Sequence, residues 1–375
     1  MVIAMTGRNY DTDVFVIGGG PAGLAAAMAA RQRGLRVIVA DGGKPPADKA
    51  CGEGLMPDSL EAAHSLGISL TQLPAMPFRG IRFHGEQSRV ESLFPSGHGL
   101  GIRRTVLHTA LTSQAESAGI ELLWSTPVTG IEDGTVHFGG QSIRSRWILG
   151  ADGANSLVRK WIGCNAPIRN TRRYAYRRHY GVAPWTDHME IYWGRGCQIY
   201  ITPVNPAEVC VALISRTPNL RLDEALERFP VLQTRLRGAQ PTSTERGAVT
   251  STMQLRRITR GNTALIGDAS GSVDAVTGEG ICLAFQQARA LGASLAQESL
   301  QPYVRAHRKL AIRPSFMADF MLLMDRSNWI RDRALHAMST HPEIFGNLLA
   351  MHVGPMHIGR FAGTAGSLVW NMLAV

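Results

Sequence analysis

The stretch "DVFVIGGGPAGLAAAMAARQRGLRVIVAD", residues 13–41, decides the fold. Asp13–Ile17 is a short, β-branched apolar run of the kind that forms a buried strand. Gly18, Gly20 and Gly23 follow in the pattern G-x-G-x-x-G. Pro21 leads into Ala22–Arg33, an alanine-rich helix ended by Gly34, and Leu35–Ala40 is a second strand that runs into Asp41. Each residue type has a physical reason. Gly18 permits the tight turn, Gly20 lets the backbone approach a pyrophosphate, and Gly23 lets the helix meet the strand. The helix start at Pro21 and Ala22 offers free N–H groups and partial positive charge to phosphates. Asp41, 23 residues after Gly18, is placed to accept hydrogen bonds from ribose hydroxyls. This order predicts a dinucleotide-binding unit and leaves FAD against NAD open.

The chain has 375 residues, enough for one large domain or two ordinary ones. Five cysteines, Cys51, Cys164, Cys197, Cys210 and Cys282, show no CxxC spacing. A disulfide framework or zinc site is not expected, and a reducing compartment fits better. No signal-peptide core and no run of about 18 apolar residues occurs, so the sequence reads as cytoplasmic. The formal net charge is +10, and only four of 39 basic residues are lysine. Such a charge favours a phosphorylated cofactor, an acidic carrier protein or an anionic membrane surface. No nucleic-acid motif is present, and none is expected as partner.

Two later stretches choose the dinucleotide. "WILGADGANSLVRKWIG", residues 147–163, runs a strand into Gly150, Asp152 and Gly153, followed by Ser156 and Arg159. "TALIGDASGSVDAVTGEGICLAFQQA", residues 263–288, runs a strand into Gly267 and Asp268, then through Gly278, Glu279 and Gly280 to a helix near Ile281. With the N-terminal stretch, these resemble the three fingerprints of the FAD-dependent group that holds aromatic hydroxylases, geranylgeranyl reductases and flavin halogenases. The resemblance implies FAD as cofactor, with Asp152 and Gly153 near the pyrophosphate and Asp268 at the ribityl chain. It also implies a cofactor contact from Arg104 in "GIRRTVLHTAL". The helix after "TGEG" would aim its N-terminus at the flavin edge where negative charge develops on reduction.

The fold class expected is α/β: a glutathione-reductase-like FAD-binding Rossmann domain, an antiparallel β-sheet substrate domain and C-terminal helices. Residues 1–79, 95–166 and 253–300 are assigned to the first, 80–94 and 167–252 to the second, and 301–375 to a helical region. "RRYAYRRHYGVAPW", "HMEIYWG", "CQIYITPVN" and "EVCVALIS" alternate as sheet strands do. The run with Arg172, Arg173, Arg177 and Arg178 among tyrosines reads as a strand with one wetted face. Substrate is expected between sheet and flavin, since pockets favour domain interfaces. The stripe Phe316, Met317, Phe320, Met321, Leu323 and Met324 is read as core.

The sequence also departs from the resembled families. Gly271 and Ala275 stand where aromatic hydroxylases commonly carry His and Pro. "TGEGI" and the Lys-x-Cys-Gly segment in "DKACGEGLMPDSL", residues 48–60, are nearer the geranylgeranyl reductases. Yet their Tyr-x-Trp-x-Phe-Pro pocket motif is absent; "QIYITP", with Gln198, Tyr200, Thr202 and Pro203, aligns there. The halogenase W-x-W-x-I-P is missing too. By resemblance the 48–60 segment passes beside the flavin ring. Lys49 could offset cofactor charge, Glu53 could orient substrate or relay a proton, and Cys51 lies with them as a secondary suspect. Pro57 is expected to stiffen entry to a helix capped near Asp58. Cys51 and Glu53 have no partner ligands at a recognisable spacing, so no metal is expected.

Among reactions, the sequence reading prefers a monooxygenase hydroxylating an apolar or aromatic small molecule. The alternative is reduction of C=C bonds in a prenyl or polyketide-like chain; a halogenase or a non-catalytic flavin module ranks lower. No second dinucleotide fingerprint is visible. Electrons would then come from transiently bound NAD(P)H or from a partner reductase. Peripheral contact with a membrane or an acidic carrier is left open.

Overall fold

The computed structural model describes residues 10–354 and 358–373. The first sheet has eight strands, and its parallel part is five strands in the order Thr263–Leu265, Gln141–Gly150, Thr12–Ile17, Val37–Ala40, Glu121–Leu123. Ile17 is opposite Gly150 and Ala40, and Gly150 is opposite Leu265. The strands that precede the three fingerprints therefore end at one level, where open α/β sheets bind ligands. Val14, Phe15 and Val16 are fully buried, as expected of a strand covered on both faces. Each such side chain stabilises the fold by roughly 1.5–3 kcal/mol.

The helices in chain order are α1 (Pro21–Arg31), α2 (Pro57–Ser65), α3 (Arg104–Ser117), α4 (Leu157–Trp161), α5 (Leu222–Leu226), α6 (Pro230–Arg235), α7 (Gly280–Ala296), α8 (Gln301–Arg326), α9 (Asn328–Thr340), α10 (Pro342–Val353) and α11 (Ile358–Leu373). The alanines of α1 let α7 approach it closely. A β-carbon on Gly292 of α7 would stand 2.9 Å from Ala29.

The second sheet runs Gln240–Pro241, Pro167–Gly181, Glu208–Ser215, Cys197–Asn205, His188–Gly194, Gly80–His84, Arg89–Leu93, with Arg246–Leu255 also paired to Pro167–Gly181. It is not wholly antiparallel: Gly80–His84 pairs parallel to His188–Gly194. That strand arrives from the other sheet's region, not through a hairpin, so nothing forces it to run the opposite way. α5 and α6 cover one face around Tyr192, Ile199 and Leu213. The other face carries Phe83, Ile191, Trp193 and Tyr200 and meets the C-terminal helices. A small sheet, Gly54–Leu55, Gly99–Ile102 and Ala75–Phe78, lies beside it.

Met317, Met321 and Met324 of α8 are buried in that contact, as expected of core. Leu323 is exposed instead, because it lies on the far side of the helix. α2 starts with Pro57 at its first position; its cap residue is Met56, without a side-chain bond. Asp58 does not cap it but accepts from Arg313 of α8 at 2.6 Å. Among the described residues no helix is long and apolar enough to cross a membrane.

Candidate functional site

The three fingerprints meet at the ends of the parallel strands. Gly18 has φ +112°, and a β-carbon there would lie 2.5 Å from the Ala151 carbonyl oxygen. Gly267 has φ +60°, and a β-carbon there would lie 2.6 Å from that of Ala22. Only glycine combines that backbone with that contact. A β-carbon on Gly23 would overlap the Gly18 carbonyl oxygen, whereas one on Gly20, Gly278 or Gly280 would meet nothing within 4 Å. The backbone is thus closed on its protein side and open toward the cleft.

Side chains tie the cradle together. Asp152 Oδ2 accepts from the Leu157 and Val158 amides at 2.7 and 3.1 Å, fixing the start of α4. Arg159 donates to the carbonyls of Ala154 (2.7 Å) and Ala269 (3.2 Å), binding the second fingerprint to the third. Asp41 accepts from the Gly19 amide through Oδ2 and from the Gly43 amide through Oδ1, each at 2.7 Å. Behind Gly19 stand two residues the sequence did not flag. His108 Nε2 is 2.9 Å from the Gly19 carbonyl oxygen, and Trp124 fills the space a side chain at Gly19 would need. Burial holds the His108 pKa below its ordinary value, despite the Gly19 bond.

The residues fit FAD. Asp152 Oδ1, Arg104 Nε and Trp124 Nε1 are buried polar atoms with no protein partner, the kind of group a ligand satisfies. Arg104 begins α3, and Lys49 Nζ is 3.6 Å from where a Gly153 β-carbon would stand. Asp268 is open to the cleft but crowded by protein on its other sides. That burial raises its carboxyl pKa, against the pull of Lys49, Arg104 and Arg159. α1 and α7 both point N-termini at this region, and Glu279 precedes α7. Burial raises the Glu279 pKa, with His352 and Arg313 opposing.

The segment 48–54 forms the facing wall, and side chains of the second sheet hold it. Arg177 pairs with Asp48 and donates to the Lys49 carbonyl at 3.1 Å. Thr202 donates to the Gly52 carbonyl at 2.7 Å, and the Cys210 thiol to that of Cys51 at 3.7 Å. Glu53 sits at φ +59°, which costs a non-glycine residue of order 1–3 kcal/mol. Three elements hold it there. Its Oε1 accepts from the Arg104 amide (2.9 Å), its Oε2 from His179 Nε2 (2.6 Å), and its carbonyl from the Ile102 amide (2.9 Å). Arg177 and Ser243 lie at His179 Nδ1, 3.3 and 2.8 Å away; since Arg177 can only donate, the imidazole proton belongs on Nε2. Glu53 is 3% exposed and both its oxygens are committed, so it caps α3 from a distance and anchors the loop.

Glu53, His179 and Cys210 offer three donor atoms within 4.8 Å of one another. These atoms are spent on each other, on the Arg104 amide and on the Cys51 carbonyl, with the Arg177 guanidinium 3.8 Å from Glu53 Oε1. A cation would have to break those bonds beside an existing positive charge. Cys51 is no thiolate: burial raises its pKa, outweighing Arg104.

The strand Pro167–Gly181 forms as expected, and its less wetted face carries charged residues. Arg172 is exposed, but Arg173, Arg177 and His179 are buried on the opposite face. Alternation puts odd residues together, and here the odd face is the polar one turned inward. Arg173 donates to Gln198 Oε1 at 2.7 Å and pairs with Asp325 at 3.2 Å. Tyr200 donates to the Val276 carbonyl at 2.7 Å. Gln198, Tyr200 and Thr202, which align with the pocket motif, therefore fasten the sheet to α8 and to the cofactor loops. A cleft of about 810 Å³ opens on the sheet's outer face, lined by Arg82, Trp185, Glu190 and Tyr192. It is remote from the fingerprints, and its Glu190 already receives bonds from Arg82, Trp185 and Tyr192.

Fold and cleft together define an FAD-dependent oxidoreductase. The chain belongs to the FAD binding domain family, whose pattern matches residues 11–300. It is 28% identical over 343 residues to a menaquinone reductase of Mycobacterium tuberculosis, covering 82% of this chain and 80% of that one. It is 26% identical over 354 residues to a digeranylgeranylglycerophospholipid reductase of Thermoplasma volcanium, covering 87% and 88%. A flavoprotein/dehydrogenase from Cytophaga hutchinsonii has the same fold, with TM-score 0.83 at 16% identity over 97% of this chain and 98% of the other.

Proposed function

We propose that this protein is an FAD-dependent reductase that saturates C=C bonds in an apolar, isoprenoid-type chain. The observation that carries the proposal is the Lys49–Gly54 segment, clamped by the second sheet against the cleft, in a chain whose long-range relatives are named as reductases. Bound FAD, once reduced, would supply hydride to one alkene carbon. The other carbon needs a proton. Cys51, kept as a thiol by burial, accepts from the Glu53 amide at 3.4 Å and donates to no partner among the described residues, so its hydrogen is available for that step. The clamp's task is to hold Cys51 and the backbone of Gly52 at a fixed height over the cleft, since a small misplacement of reacting groups costs much rate. NAD(P)H is the proposed electron source, bound transiently or replaced by a partner reductase.

Hydroxylation by O2 is the second reading, favoured by the loss of the prenyl-pocket motif at Gln198–Pro203. One experiment separates the two. Chemically reduced holoenzyme is mixed with a menaquinone, or with geranylgeraniol, without oxygen and again under isotopically labelled O2. A product that gains two hydrogens anaerobically, with no label under oxygen, supports reduction. Label in the product and no anaerobic turnover would replace reduction by hydroxylation.

A further inference from the structure

The C-terminal helices carry a face that the flavin chemistry does not use. Along α11 the described exposed residues are Gly359, Ala362, Gly363, Gly366, Val369, Trp370 and Leu373. They recur at helical spacing and, among the described residues, include no charge, so the stretch 362–373 turns an apolar face outward while Thr364 and Leu368 face in. Trp370 is 74% exposed, Leu373 68% and Val369 55%. A surface helix of a protein surrounded only by water shows the reverse pattern.

The patch continues onto α9. Trp329 is 57% exposed. Arg333 lies 4.7 Å over its ring and donates to the Met372 carbonyl at 2.6 Å, joining the two helices into one surface. Next to it, at the junction of α8 and α9, a cleft of about 500 Å³ is lined by Arg195, Arg216, Arg326 and Asn328. Arg216 is paired with Asp325 at 3.2 Å and Arg195 more loosely with Glu86 at 3.6 Å. The Arg326 guanidinium has no hydrogen bond or ion pair among the described residues.

The surface thus joins two exposed tryptophans and an apolar helix face to a cluster of arginines, in a chain of net charge +10. Tryptophan settles at the headgroup level of a bilayer, apolar helix faces sink to the acyl boundary, and arginines gain at an anionic surface. We infer that the face formed by Trp329, Val369, Trp370 and Leu373, with Arg326 beside it, docks this protein on the surface of an anionic phospholipid bilayer. A second copy of this chain would cover the apolar part but would bring its own arginines against the Arg326 cleft, where like charges repel. The inference does not depend on which reaction the flavin performs, because docking can be read without turnover.

The test is co-flotation of the FAD-loaded full-length protein with vesicles of phosphatidylcholine alone and of phosphatidylcholine with phosphatidylglycerol. The protein should float with the phosphatidylglycerol vesicles, less so at high salt. Trp370→Ser with Leu373→Ser should lower the partition coefficient about tenfold or more. Arg326→Glu, on a different helix, should weaken floating only on the anionic vesicles. Unchanged flavin absorbance and far-UV circular dichroism show that each variant is folded. The inference fails if the native protein stays with the aqueous phase, or if both variants float as it does. It also fails if light scattering finds a dimer that Trp370→Ser with Leu373→Ser dissociates, since the face would then belong to a second copy.

Discussion

The two walls of the flavin cleft are built by different means. The cradle of residues 18–23, 151–153 and 267–268 is backbone. Its geometry comes from glycines pressed against carbonyl oxygens and from helix N-termini. The wall of residues 48–54 is held by side chains distant in sequence: Glu53 and His179 are 126 positions apart, Gly52 and Thr202 150. At Gly18, Gly23 and Gly267 the cradle has no room for a side chain. A wall held by side chains has redundancy, because several bonds share the task.

The largest effect should therefore come from the cradle. Gly23→Val would drive a side chain into the Gly18 carbonyl oxygen. It should abolish FAD loading, read as flavin absorbance per protein, or prevent folding, at a cost of more than about 4 kcal/mol. Normal flavin content in this variant would erase the distinction between the walls.

Next comes the clamp. Glu53→Ala leaves the Arg104 amide, His179 and Arg177 without their carboxylate. It should cost about 3–5 kcal/mol in denaturant unfolding. Glu53→Gln should keep FAD bound and change turnover. His179→Gln should act on the same bond, so a double-mutant cycle should show coupling of about 1–3 kcal/mol. Additive effects would mean that the two side chains do not act as one clamp.

Glu190 provides a control on the outer face. Burial alone would raise its pKa. His84, 3.4 Å away, and the bonds from Trp185, Arg82 and Tyr192 outweigh this and hold it at about 2, below the ordinary 4.5. A carboxylate lowered on folding stabilises above its unfolded pKa and loses that contribution as pH falls through the folded one. The gain should be complete above about pH 4.5 and vanish toward pH 2, worth at most roughly 3 kcal/mol. Glu190→Gln should flatten acid unfolding in this window and leave FAD affinity unchanged. Lost flavin would show that the outer face communicates with the cleft.

The smallest effect on stability should be that of Cys51→Ala, a loss of about 1 kcal/mol or less, with FAD retained. Under the reductase proposal the same variant should slow alkene reduction, because its proton source is gone. Full activity would remove Cys51 from that role and leave the segment as a wall alone.

The fingerprints were legible because each is local. Gly18, Gly20, Gly23, Asp41, Asp152 and Asp268 lie within a few residues of the strand ends that position them, and strand–turn–helix chemistry has few solutions. The clamp was not legible. The strand Pro167–Gly181 carries arginine on both faces, Arg172 and Arg178 on one and Arg173 and Arg177 on the other, so alternation alone could not say which side is buried. The face became visible only once Glu53 was seen opposite His179. His108 and Trp124 were hidden for a similar reason: an apolar ring or a lone imidazole on a helix reads as ordinary core.

The sequence by itself determined the cofactor, the parallel sheet and the level at which its strands deliver three loops to one place. It could do so because positive φ and close backbone approach admit glycine and little else. The tertiary structure alone decided which face of the arginine strand turns inward, that Glu53 caps α3 from a remote loop, and that α11 faces outward with its apolar side. Those outcomes depend on what lies opposite each side chain, and partners fifty or more positions away leave no local pattern to read.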